Sequence, residues 1–139
     1  MKISARVDNS YRTPAVTLTT HDRADELPIA PRADGVGSSA NGGELLCLSL
    51  ATCCCNDLYR EAKKRRITVQ RVEVEVEGTF GAEGSAAERF AYHTRVSARA
   101  SRQEILALMQ HTDRVAEIQN TVRQSSPALL TPTEAHEFV

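Results

Sequence analysis

The first third of the chain has a two-residue rhythm. Ile3, Ala5 and Val7 alternate with polar neighbours over residues 2–8, which predicts a strand. Asn9-Ser10 is a turn signal, and Ala15 to Thr20 predicts a second strand pairing with the first as a hairpin. Leu27 to Ala30 is expected as a short third strand, pushed towards a sheet edge by Pro28 and Pro31. Residues 31–43 are rich in Gly, Ser, Ala and Asp and read as a loop.

The pattern then turns helical. A helix is expected from Gly43 or Glu44 to about Lys64, with Glu44 at its positive end and Lys63 and Lys64 at its negative end. Leu45 to Cys55 is apolar on almost every side, whereas Asn56 to Ala62 is amphipathic. The helix is therefore expected to be buried at its start and to emerge towards its end. Asn56-Asp57 is read as the point of exit; the other reading has Asp57 lining a pocket.

Strict alternation returns in Val72-Glu73-Val74-Glu75-Val76-Glu77, and a partner strand is expected from Arg89 to Ala100, with residues 78–88 connecting them. The glutamates should meet Arg89, His93, Arg95 and Arg99 across an antiparallel pair. Ser101 with Glu104 reads as a capping box for a helix whose inner side carries Ile105, Leu106, Leu108 and Met109. Thr112 or Asp113 is expected to cap a second helix carrying Val115, Ile118 and Val122, broken by Ser125-Ser126-Pro127. Ala128 to Thr131 is expected as a last strand or extended tail. This order predicts a single α+β domain over residues 1–139, with mostly antiparallel sheet.

Composition narrows the function. With no tryptophan and 4% aromatic residues, the core must come from Val, Leu, Ile and Ala. A net charge of −1 gives no global field for nucleic acid or a membrane surface. The basic run Lys63 to Arg66 reads as a complement to the helix dipole rather than a nucleic-acid patch. No stretch approaches the ~18 apolar residues of a membrane span, and Met1 to Arg6 lacks the apolar core of a signal peptide. A cytoplasmic protein with reduced thiols is expected.

All four cysteines, Cys47, Cys53, Cys54 and Cys55, lie in the apolar half of the long helix. Adjacent helix positions point about 100° apart, which suits disulfide geometry poorly. No Cys-x-x-Cys or Cys/His spacing suggests zinc, and no metal or cofactor is expected. Free cysteine also fills buried space well; Cys47 is read as a packing residue, and Cys54 and Cys55 as packing or interface contacts.

Gly42-Gly43-Glu44-Leu45-Leu46 leading to Leu50-Ala51-Thr52-Cys53, in this element order, resembles the OsmC/Ohr family of thiol-dependent hydroperoxide reductases. The family typically carries Asn-Pro-Glu-Glu-Leu-Leu and then Ala-Ala-Cys at the matching place. The resemblance implies an intertwined homodimer with antiparallel sheets wrapped around long central helices. It makes Cys53 the peroxidatic thiol, oxidised to a sulfenic acid by an organic hydroperoxide. It also asks for an arginine to favour the thiolate and a glutamate to orient that arginine. Arg12 is the best match for the arginine, ahead of Arg32. The family's glutamate aligns with Gly43, which leaves Glu44 as the nearest acid. A one-residue slip would match Glu44 and make Cys54 the nucleophile. The family's second cysteine falls at about Asp113, and no cysteine follows Cys55. The cycle would then need an external thiol reductant, or a neighbouring thiol after local unwinding. The competing expectation is a non-catalytic scaffold binding a small apolar or electrophilic ligand at the dimer interface, or a redox sensor.

Overall fold

The computed structural model describes residues 1–125, 128–129 and 134–135. They fall into two compact units, Met1–Cys47 and the chain from Leu48 onward. The architecture is α+β, with every strand pairing antiparallel.

The first unit contains a three-stranded meander of β1 (Ile3–Ser10), β2 (Thr13–Thr20) and β3 (Arg23–Glu26). The β1–β2 turn is Tyr11-Arg12, two residues beyond the expected Asn9-Ser10, because Ser10 still pairs with Thr13. Arg12 takes a φ of 59° there, and its N–H donates to the carbonyl of Gly35 at 2.8 Å. Gly35 has a φ of 79°, and a Cβ on it would stand 2.6 Å from the Tyr11 ring and 2.8 Å from Arg12 Cγ. Only glycine fits that crossing.

The expected third strand at Leu27–Ala30 is corrected to Arg23–Glu26. The His21-Asp22 turn returns the chain at once, with Thr20 opposite Arg23. Leu27 still donates to Val16 O at 3.0 Å, but Pro28 has no N–H and the ladder stops. The loop beyond it leads to helix α1 (Gly42–Lys64).

From Leu48 onward, α1 is followed by β4 (Thr68–Phe80), β5 (Ala87–Arg99), α2 (Arg102–Val115) and α3 (Glu117–Arg123). Cys54, Leu58 and Ala62 recur every four residues on α1 and form the core with Leu108 of α2. Val69, Val72, Val74, Tyr92 and Val96 of the β4–β5 hairpin pack against this stripe.

Burial along α1 therefore runs opposite to expectation. Leu50, Cys54, Asp57, Leu58, Glu61 and Ala62 are buried, while Leu46 and Leu48 are exposed. A segment apolar all round does not specify which face meets a partner. The amphipathic half does, and it is the half that the hairpin and α2 cover.

The acidic and basic rows meet at two points, Glu73 with Arg95 and Glu75 with His93. The Glu73–Arg95 ion pair spans 2.5 Å, and Glu77 faces Ala91. Arg89 and Arg99 face Thr79 and Thr68 instead. The Ser101–Glu104 capping box is present. Leu106, expected on the inner side of α2, is exposed.

Neither Thr112 nor Asp113 caps a helix. α2 continues to Val115, and α3 begins after Ala116 with no side-chain cap. Thr112 is buried and donates to Leu108 O within its own helix. Ala128 and Leu129 are in no strand, and Leu130-Thr131 lie outside the described residues.

Candidate active site

Residues 53, 57, 60 and 61 are spaced by one or two turns, so α1 aligns Cys53, Asp57, Arg60 and Glu61 along one side. The Cys53 thiol donates to Asp57 Oδ2 at 3.4 Å. Asp57 Oδ1 holds Arg60 Nη1 at 2.7 Å, and Arg60 Nε reaches Glu61 Oε1 at 2.9 Å. Arg60 also lies 3.6 Å from Glu117 Oε1, at the start of α3. The backbone N–H of Ile118 donates to the Cys53 sulfur.

The expectation that Asn56-Asp57 marks an exit from the core holds only for Asn56. Asp57 is 5% exposed. Its carboxylate survives burial because Cys53 and Arg60 bond both of its oxygens.

Burial raises the pKa of the Cys53 thiol; the Ile118 N–H opposes this, and the Asp57 charge adds to it. Burial raises Asp57 as well, against the Cys53 hydrogen bond and Arg60. The pair is thus a thiol beside a carboxylate of increased basicity. Glu61 is held down to about 2 by Lys64 and then Arg60; it also faces His111 Nε2 at 3.2 Å.

Cys54 points elsewhere. It is buried, lies 3.7 Å from Thr94 Oγ1, and is raised by burial. With Leu58, Leu106, Met109 and Asp113 it lines a cavity of about 640 Å³. Asp113 accepts from Tyr92 Oη and from Arg123 Nη2, the latter at 2.6 Å. Burial works to raise Asp113, but these two donors outweigh it and hold the carboxyl low.

Glu44 and Arg12 belong to the first unit. Glu44 Oε2 accepts from the Asn41 N–H at 2.8 Å, and Asn41 Oδ1 accepts from the Glu44 N–H at 2.9 Å. This is a reciprocal cap on α1. The Arg12 guanidinium lies 5.4 Å from the centre of the Tyr11 ring. Arg32 Nε donates to Ser38 O.

Arg60, Glu61, Glu117 and Gln119 had no role in the sequence reading. The signal for Glu61 was its place between Leu58 and Ala62, four residues after Asp57. The signal for Gln119 was its place beside Ile118 in the α3 stripe. Cys53 Sγ and one oxygen each of Asp57 and Glu117 lie within 4.8 Å of one another, close enough to share a metal ion. Arg60 supplies the positive charge there.

A family profile described as OsmC-like protein matches residues 35–130. No curated protein matches the sequence. Among solved structures, an OsmC-like protein from Mycoplasma pneumoniae is 20% identical, with 88% of this chain and 86% of that one covered and a TM-score of 0.59. An OsmC-like protein of unknown function from Vibrio cholerae is 14% identical, with 87% and 93% covered and a TM-score of 0.62. An organic hydroperoxide resistance protein, OsmC, from Legionella pneumophila is 18% identical, with 88% and 90% covered and a TM-score of 0.58. At these identities the likeness is one of fold.

Proposed function

Because the chain belongs to the OsmC-like protein family, we propose that it reduces small organic hydroperoxides with Cys53 as nucleophile. The observation that carries this reading is the Cys53–Asp57 hydrogen bond. Of the four thiols, only Cys53 donates to a carboxylate among the described residues, and it is partly exposed.

In this reading Asp57 takes the thiol proton as the sulfur attacks the terminal peroxide oxygen. The O–O bond breaks, and the leaving alkoxide recovers the proton from Asp57 as an alcohol. Asp57 begins and ends as a carboxylate, and Cys53 becomes a sulfenic acid. One external thiol condenses with it, releasing water and leaving a mixed disulfide. A second external thiol restores Cys53. Arg12 and Glu44 keep the roles the resemblance gives them: a cation that favours the thiolate, and the acid that orients it.

A homodimer belongs to the same proposal. Ile3, Val7, Leu46 and Leu48 are each exposed on the single chain, apolar side chains of the kind a second copy would cover.

Cys53→Ser and Cys54→Ser variants test the reading with an organic hydroperoxide and excess dithiothreitol. Peroxide consumption should disappear in Cys53→Ser and persist in Cys54→Ser. The reverse result would move the nucleophile to Cys54.

A second reading, the non-catalytic ligand scaffold, is favoured by one observation. Both Cys53 and Cys54 are raised, and a cavity of about 640 Å³ opens beside Cys54. Equal, slow consumption by both variants and the parent would support it.

A further inference from the structure

The cavity that Cys54 lines is not the only one. A second, of about 310 Å³, lies between the β4–β5 hairpin, α1 and α3. Leu50, Val76, Phe90 and Val122 give it apolar walls, and Tyr92 and Gln119 also line it. None of its lining residues takes part in the proposed thiol chemistry.

Gln119 is the informative member. It is 3% exposed, and its Nε2 donates to Leu50 O at 2.8 Å. That bond satisfies one end of the amide and fixes which end is which. The other end, Oε1, is buried and has no partner among the described residues. A buried carbonyl left unpaired is costly, and native proteins rarely keep one. A mostly apolar cavity lined by a residue with an unmet acceptor suits a mostly apolar molecule with one strong donor. The Phe90 and Tyr92 rings favour an aromatic body.

We propose that this cavity binds a small phenol, its ring among Leu50, Phe90 and Val122 and its hydroxyl donating to Gln119 Oε1. Because the oxygen is covered, the carboxamide must turn slightly to admit the donor, and terminal amide torsions are broad enough to allow it. Three charged residues also line the cavity: Arg123, whose guanidinium is already bonded to Asp113 and Asn120, and the exposed Glu88 and Arg89 of β5.

The test is a pair of titrations on the ¹⁵N-labelled full chain, one with 4-ethylphenol and one with 4-ethylanisole, which lacks the donor. The phenol should shift the Gln119 side-chain amide and the backbone signals of Val76, Phe90 and Val122. A ligand of this size should bind at about millimolar concentration. The anisole should bind about five- to tenfold more weakly, the worth of one hydrogen bond. Gln119→Leu, if it gives a dispersed spectrum, should erase the difference between the two ligands. Equal binding of the two to the parent chain would overturn the donor assignment without any variant. No shift at these residues with either ligand would overturn the site, leaving a buried water as the partner of Oε1. Neither failure bears on whether Cys53 reacts with peroxide.

Discussion

The Cys53 thiol donates to Asp57 one helical turn further along α1, at 3.4 Å. A carboxylate beside a thiol opposes the free thiolate but supplies a base at the moment of attack. These two effects give opposite responses to one substitution. Asp57→Asn removes the negative charge, so the pH midpoint for alkylation of Cys53 by iodoacetamide should fall. The same change removes the proton acceptor, so reduction of an organic hydroperoxide should slow by about 10²-fold or more. Stopped-flow measurement of both reactions on one preparation checks the pair.

Acid stability should depend on Glu61. Its pKa is lowered from 4.5 to about 2 by Lys64 and Arg60. A lowered folded-state pKa stabilises above the unfolded value and loses that contribution as pH falls through the folded one. The share due to Glu61 is therefore present above about pH 4.5 and lost towards pH 2. Glu61→Gln should lower stability at neutral pH and flatten the decline across that acid window. Urea unfolding at a series of pH values reads both effects.

Leu58 and Leu108 are almost fully buried in one cluster. Either substitution to Ala should cost about 2–5 kcal/mol by removing methyl groups that neighbours cannot replace. Ser101→Ala should cost about 1 kcal/mol through loss of the α2 cap. Denaturant titration separates the two classes of effect.

Arg12→Ala tests the role carried over from the family. It should slow Cys53 oxidation by about 10²-fold, the usual effect of removing one electrostatic donor. Glu44→Gln should slow it less and should also weaken the α1 cap. Light scattering on the same samples should give twice the chain mass if the homodimer forms. A monomer with full reactivity would count against the interface and the Arg12 role together.

Much of this fold could be read in the sequence, because local patterns carry local information. The period of Val72, Val74 and Val76, the capping box at Ser101 and the span of α1 all depend on near neighbours. The missed features depend on distant ones. Nothing near Leu46 or Leu48 says which helix face will be covered, and their apolar run misled the burial reading. Asp57 looked like an exit to water because its thiol and guanidinium partners sit one turn away on either side. Glu117 and Ile118 reach Cys53 only because the chain bends at Ala116. Cys53 itself stood out through its family resemblance, while its acid–base surroundings emerged from the packing of α1 against α3.

The most direct test of the central claim is the mass of the reduced protein after a brief pulse of organic hydroperoxide with dimedone present. Peptide mapping then locates the trapped sulfenic acid. The account predicts rapid, stoichiometric dimedone labelling at Cys53, far faster than for a free small thiol, with Cys54 unmodified. Slow labelling scattered over the four thiols would contradict it and leave them as packing residues of a ligand-binding scaffold.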